Sequence, residues 1–181
     1  MKVLSVLTLT YLIVFQSIAQ VGSQFPHMSA QKLDDKVVEL PLHTKGKHTL
    51  LALAYSQEAE KELATWYQSV YETFIFKDKG GVFETENYDV HLFIVPMFTG
   101  VKESVHAKAV KEMKEKVDKN LWNYVLVYKG DMKPYKDKLG LAQKEHPYLF
   151  VLDKNGKIVY TTSGAYTDAK LEQIEHHISG H

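Results

Sequence analysis

His146-Pro147-Tyr148-Leu149-Phe150-Val151-Leu152-Asp153-Lys154-Asn155-Gly156-Lys157-Ile158-Val159-Tyr160 is the stretch on which the fold turns. A proline leads a run of apolar residues ending at Leu152. Asn155-Gly156 then divides it from a second run. Asn-Gly between apolar runs predicts a β-hairpin, because these two residues tolerate the positive φ that a tight turn needs. The spacing therefore predicts strands over Tyr148 to Asp153 and Lys157 to Thr162.

Working outward, Thr167 caps a final helix whose positions Leu171, Ile174, His177 and Ile178 share one face. Upstream, Asp131 to Leu141 predicts a short helix or turn interrupted by Pro134. Trp122 to Tyr128 predicts a strand. Glu103 to Val117 predicts a helix with Val105, Ala109, Met113 and Val117 inward and its lysines in solvent. Tyr88 to Pro96 is a further strand, after a loop at Lys79-Gly80-Gly81. Thr49-Leu50-Leu51-Ala52-Leu53-Ala54-Tyr55 is apolar throughout, as in a strand covered on both faces. Ser56 caps the helix that follows, with Ala59, Leu63, Trp66, Tyr67, Val70, Tyr71 and Phe74 on its buried face and Glu58, Glu60 and Glu62 in its first turns. Lys36 to Pro41 is a short extended piece, and Thr44 to Lys47 a turn. Alternating strands and helices with a closing hairpin predict an α/β three-layer sandwich: a mixed central sheet with helices on both faces.

The chain has 181 residues, with 22 basic and 22 acidic side chains, 45% hydrophobic residues and no cysteine. The neutral balance gives no footprint for nucleic acid. Without cysteine there is no disulfide, no thiol nucleophile and no iron–sulfur ligand. Residues 1–19 have the pattern of a signal peptide: Lys2, an apolar run from Val3 to Phe15, and Ser17-Ile18-Ala19 before the cut. One domain then spans residues 20–181. The protein is expected to be exported, periplasmic or secreted, with no membrane span after cleavage, since a span needs about 20 apolar residues.

With these residues in place, the chain resembles the thioredoxin-like superfamily, and within it the TlpA/ResA or peroxiredoxin-like (redoxin) branch. The hairpin is similar to that branch's P-x-x-x-x-I-D-x-x-G-K-I-V-Y stretch. Val21-Gly22-Ser23-Gln24-Phe25-Pro26, followed by Leu33-Asp34-Asp35-Lys36-Val37-Val38-Glu39-Leu40, is similar to its opening. The likeness spans nearly all of residues 20–181. Matching Lys61-Glu62 to the branch's Lys-Glu places Ser56, Gln57, Glu58 and Ala59 where it carries C-x-x-C. It makes Pro147 the candidate for its cis-proline and Tyr55, His146 and Tyr148 a possible peptide-binding rim. The mitochondrial assembly-factor family for the ATP synthase membrane subunit is also thioredoxin-like with a comparable hairpin. Its short Asp-x-x-Gly-x-Ile match carries no role over.

The chemistry follows from the atoms. A serine hydroxyl forms no disulfide and stays protonated at neutral pH, so Ser56 and Ala59 cannot exchange electrons. A hydrolase would need Ser56 activated by His146 and oriented by Glu58 or Glu145, and no G-x-S-x-G elbow is present. His176, His177 and His181, or His43 and His48, lack the spacing of a metal site. No catalytic residue, metal or cofactor is expected. The expected function is a non-catalytic binding or assembly module with a protein or peptide partner in the cell envelope. The alternatives are an enzyme built on Ser56 and His146, and a structural domain of an envelope complex.

Overall fold

The computed structural model describes residues 20–76 and 88–180. The leader expected over residues 1–19, the loop expected at Lys79-Gly80-Gly81 and His181 lie outside them. Among the described residues, seven strands form one mixed sheet in the order β2-β1-β5-β4-β3-β6-β7. The strands are β1 (Met28–Lys32), β2 (Val37–Leu40), β3 (His48–Ala54), β4 (Val90–Phe98), β5 (Leu126–Lys129), β6 (Tyr148–Leu152) and β7 (Ile158–Ser163). β3, β4 and β5 run parallel; β6 and β7 follow antiparallel beyond β3, and the β1–β2 hairpin pairs antiparallel with β5.

The run through β3 has to be apolar because both sides of it are covered. Leu51 and Leu53 join Phe150, Leu152 and Val95 on one face, under Met132, Tyr135 and Leu139 of the segment carrying α4 (Lys133–Leu139). Leu50, Ala52 and Ala54 join Leu149, Val151 and Leu92 on the other. That second face is covered by α1 (Gln57–Leu63), α2 (Tyr67–Val70) and α5 (Asp168–Ser179), through Ala59, Leu63, Val70, Leu171, Ile174 and Ile178. The period of two along a strand thus sorts one residue run into two cores. α3 (Glu103–Lys116) packs Val110 and Met113 against Val125 and Val127 at β5.

Several local expectations are corrected. β1 was not expected; its alternation of buried Met28 and Ala30 with exposed Ser29 and Gln31 is too short and too polar to stand out. The helix after Ser56 is broken by a 3-10 turn at Ala64–Trp66 and a π turn at Tyr71–Ile75. These shift the helical phase, so Tyr67 and Tyr71, expected inward, are 43% and 38% exposed. Trp122-Asn123-Tyr124 lies in a 3-10 helix, Lys119–Tyr124, rather than a strand, because Asp118 accepts from the Asn120 N–H and the Trp122 indole N–H donates to the Val117 carbonyl. Val105 is exposed, since the buried stripe of α3 starts a turn later. Pro134 does not interrupt α4; it sits in its first turn, where its missing N–H has no partner to lose.

The chain's opening segment is stitched to its closing hairpin. Gly22 N–H donates to Ile158 O at 2.7 Å, Ile158 N–H to Ser23 O at 2.9 Å, and Phe25 N–H to Gly156 O at 3.0 Å.

His48 opens β3 and His91 is second in β4; they pair with Val90 and Thr49 respectively, so the two rings lie on opposite faces of the sheet. Burial, with Lys154 near His48 and Lys47 near His91, holds both imidazoles below the ordinary histidine value. A folded-state pKa lowered in this way favours the neutral ring. The unfolded chain therefore binds the extra protons once pH falls below about 6.5, and stability drops with pH there. The Tm difference between pH 7 and pH 5 is expected to shrink in the His48→Gln/His91→Gln variant. An unchanged difference would remove these two rings from the acid response.

Candidate functional site

β3 ends at Ala54, and Ser56 turns the chain into α1. Ser56 is the N-cap: its backbone is extended, and its Oγ accepts from the Ala59 N–H at 3.1 Å. β6 pairs with β3, with Tyr148 opposite Leu53. The Ser56 turn and the Pro147 strand therefore meet, as the resemblance requires. Gln57 and Glu58 are exposed on the first turn, and Ala59 is buried beneath it.

One expectation fails. The bond before Pro147 is trans, and the cis peptide among the described residues precedes Pro41. Trans is the lower form of an X–Pro bond by about 0.5–1 kcal/mol. Here the ladder already fixes the start of β6, with Gly164 N–H donating to Pro147 O at 3.0 Å.

The hydroxyls of Tyr55, Ser56 and Tyr148 are engaged by one segment, residues 141–146, which joins α4 to β6 and carries His146. The Tyr55 hydroxyl donates to Leu141 O at 2.9 Å. The Ser56 hydroxyl donates to Lys144 O at 2.6 Å. The Gln143 N–H donates to the Tyr148 hydroxyl at 2.8 Å. His146 Nδ1 lies 2.6 Å from Glu62 Oε2 on α1. Burial, with Tyr148 and Glu145 nearby, pushes the Tyr55 phenol up to about 12, so it stays a proton donor at neutral pH.

This geometry does not build a hydrolytic centre. A nucleophilic serine needs its hydroxyl proton directed at a base, and Ser56 directs it at a carbonyl. The His146 nitrogen that is engaged faces Glu62, neither Glu58 nor Glu145. No cluster of three or more metal-ligating side chains is found among the described residues.

Sequence reasoning missed a second feature. A largely apolar cavity of about 550 Å³ lies between α1–α2 and α3, over β4, lined among others by Leu63, Tyr67, Ile94, Met113 and Leu121. The only signal for it was the helical spacing of Tyr67 and Tyr71, which points equally well to a packed core.

The resemblance at the Ser56 turn gives a direct prediction. Cysteines at Ser56 and Ala59 would sit at an N-cap and three residues on, where a helix N-terminus stabilises a thiolate. The Ser56→Cys/Ala59→Cys variant is expected to close a disulfide in air, read as loss of both free thiols. Two persistent thiols would show that this turn is not the counterpart of C-x-x-C.

Solved structures share the fold. A pneumococcal exposed lipoprotein thioredoxin from Streptococcus pneumoniae is similar at 19% identity and a TM-score of 0.54, over 83% of this chain and 99% of that one. A thiol:disulfide interchange protein from a Bacteroides species is similar at 20% identity and TM-score 0.51, over 88% and 91%. StoA from Bacillus subtilis is similar at 16% identity and TM-score 0.51, over 86% and 98%. No curated protein matches the chain. The sequence model of the family described as ATP10 protein matches residues 19–180. That match covers almost the whole chain, and with it this cysteine-free, thioredoxin-like protein belongs to the ATP10 family.

Proposed function

We propose that this protein is an exported, non-catalytic assembly module that acts by holding another polypeptide of the cell envelope. One observation carries the reading. The turn that the resemblance matches to the branch's redox-cysteine turn has its hydroxyls, and the neighbouring His146, bonded within the protein. The Ser56 and Tyr55 hydroxyls are thus committed to main-chain carbonyls rather than to a base. Membership of a family of assembly factors supports the same reading.

The test is site-specific photo-crosslinking in growing cells, with the crosslinker at Gln57 or at Tyr148. One dominant adduct of defined mass at these positions is expected, and none at the opposite end of β6, at the exposed Lys154. Empty lanes at both rim positions would overturn the proposal. So would turnover of ester or amide substrates by the purified protein that disappears in Ser56→Ala, because the site would then be catalytic. Removal of the leader is part of the proposal and is read from the N-terminus of the exported protein, expected at Gln20.

A further inference from the structure

β3 to β4 and β4 to β5 step in the same direction across the sheet. Right-handed parallel crossovers therefore put α1–α2 and α3 on the same face of it. α1–α2 packs over β3, with Ala59, Leu63 and Val70 against Leu50, Ala52 and Ala54. α3 packs over β5, with Val110 and Met113 against Val125 and Val127. β4 runs between the two, and its Leu92, Ile94 and Pro96 form the floor of the cavity of about 550 Å³. Ile94 stays only partly buried although it sits in the middle of a central strand.

The width of the gap decides what fits in it. β3 and β5 stand two strand spacings apart, about 10 Å. That is an ordinary distance for two packed helices, about 8–10 Å. A third helix, about 10 Å across with its side chains, has no room between them. A slender aliphatic chain laid along β4 does. The floor from Leu92 to Pro96 is about 13 Å long at the rise of a strand. A cavity of this volume with an apolar lining and a few polar groups has the character of a small-molecule site.

The polar groups choose the head. Glu60 and Tyr67 line the cavity from α1 and α2. Burial raises the Tyr67 phenol, and the nearby Glu60 charge adds to it. Burial also holds the Glu60 carboxyl above the ordinary carboxylate value. Among the described residues, neither the Glu60 carboxylate nor the Tyr67 hydroxyl has a hydrogen-bond or ion-pair partner. α3 runs back toward the start of β4, so its last residues close the other end. There Lys116 is paired with Glu112 at 3.6 Å, and the Asp118 carboxylate accepts from the Asn120 N–H at 2.8 Å. The uncommitted charge at the cavity is thus negative.

We propose that this cavity binds one single-chain amphiphile, its aliphatic chain lying along β4 between α1–α2 and α3 and its positively charged head at Glu60 and Tyr67. The site shares no lining residue with Tyr55, Ser56, His146 and Tyr148, and does not depend on what that rim holds.

The test titrates octyl-, decyl- and dodecylammonium, with the matched carboxylates and alcohols, into the full chain below their micelle concentrations. Calorimetry and methyl NMR read the binding. One saturable site per chain is expected, with shifts centred on Ile94, Met113 and Leu121. Affinity is expected to rise about threefold to tenfold for every two methylenes added. At pH 7 and low salt the ammonium is expected to bind at least fivefold tighter than the carboxylate of the same length. Glu60→Gln is expected to erase that preference and keep the dependence on chain length. Ile94→Trp fills the floor and is expected to weaken every probe tenfold or more. No saturable binding, shifts centred elsewhere, an equal or tighter carboxylate, or affinity unchanged by Ile94→Trp would overturn the proposal.

Should Ile94→Trp misfold, the wild type alone still decides. At saturation, direct magnetisation transfer between the probe's methylenes and the Ile94 side chain is expected, and its absence would overturn the proposal. Self-association through this face, or binding to phosphatidylcholine vesicles, with no response to the soluble probes, would overturn it as well.

Discussion

Trp66→Ala is expected to remove about 3–5 kcal/mol of folding stability, the range for deleting a buried large aromatic side chain. Trp66 is 1% exposed, at the centre of the core between α1–α2 and the sheet. Its indole N–H donates to Gly164 O at 3.0 Å, and its ring meets Tyr166 edge-on at 5.4 Å. It thus ties the helix after Ser56 to the loop that connects β7 to α5. Alanine leaves a cavity that close-packed neighbours cannot fill and strips Gly164 O of its donor. For a domain of this size the Tm is expected to fall by on the order of 10 °C. Trp66→Phe keeps most of the volume and loses the N–H, so about 1–3 kcal/mol is expected. Chemical denaturation of both variants checks the pair. A loss below about 1 kcal/mol in Trp66→Ala would mean that this core collapses around the gap.

The second large effect is expected at Gly156, in the hairpin whose sequence decided the fold. Its φ is +83°, and a Cβ there would come within 2.5 Å of Pro41 Cβ and 2.8 Å of Gln24 Nε2. Two terms add in Gly156→Ala. The left-handed backbone costs an L-residue about 1–2 kcal/mol. Forcing a methyl against a packed proline costs about 1–3 kcal/mol more. Gly46→Ala separates them, because Gly46 has a φ of +97° with nothing within 4 Å of the same added atom. Gly46→Ala is expected to show the backbone term alone. Equal losses in the two variants would mean that Pro41 moves aside freely.

The hairpin was legible because its signals are local: Asn155-Gly156 fixes the turn, and the apolar run of β6 is too continuous for a one-sided strand. β3 and the cap at Ser56 were legible for the same reason. What escaped was set by distant partners. β1 exists because β2 and β5 lie on either side of it, and its own residues hardly announce it. Tyr67 and Tyr71 satisfy a helical period, but the 3-10 and π turns that swing them outward arise from packing. At the site, Ser56, Tyr55, His146 and Tyr148 could be brought together from a resemblance, since strand pairing dictates their proximity. Their engagement with residues 141–146 could not, because main-chain acceptors leave no mark in a sequence. The geometry at Pro147 likewise came from the resemblance alone and differed.

The opening segment's hydrogen bonds to Gly156 and Ile158 bear on how the chain is made. Residues 22–25 acquire these partners only when residues 156–158 have emerged, and pairings so distant along the chain form slowly. Until then Phe25 has no lid of its own and the sheet's apolar face stays partly bare. Until residues 156–158 emerge, the segment from Gly22 to Phe25 is thus left unpaired by the topology. That interval is when a chaperone would matter most.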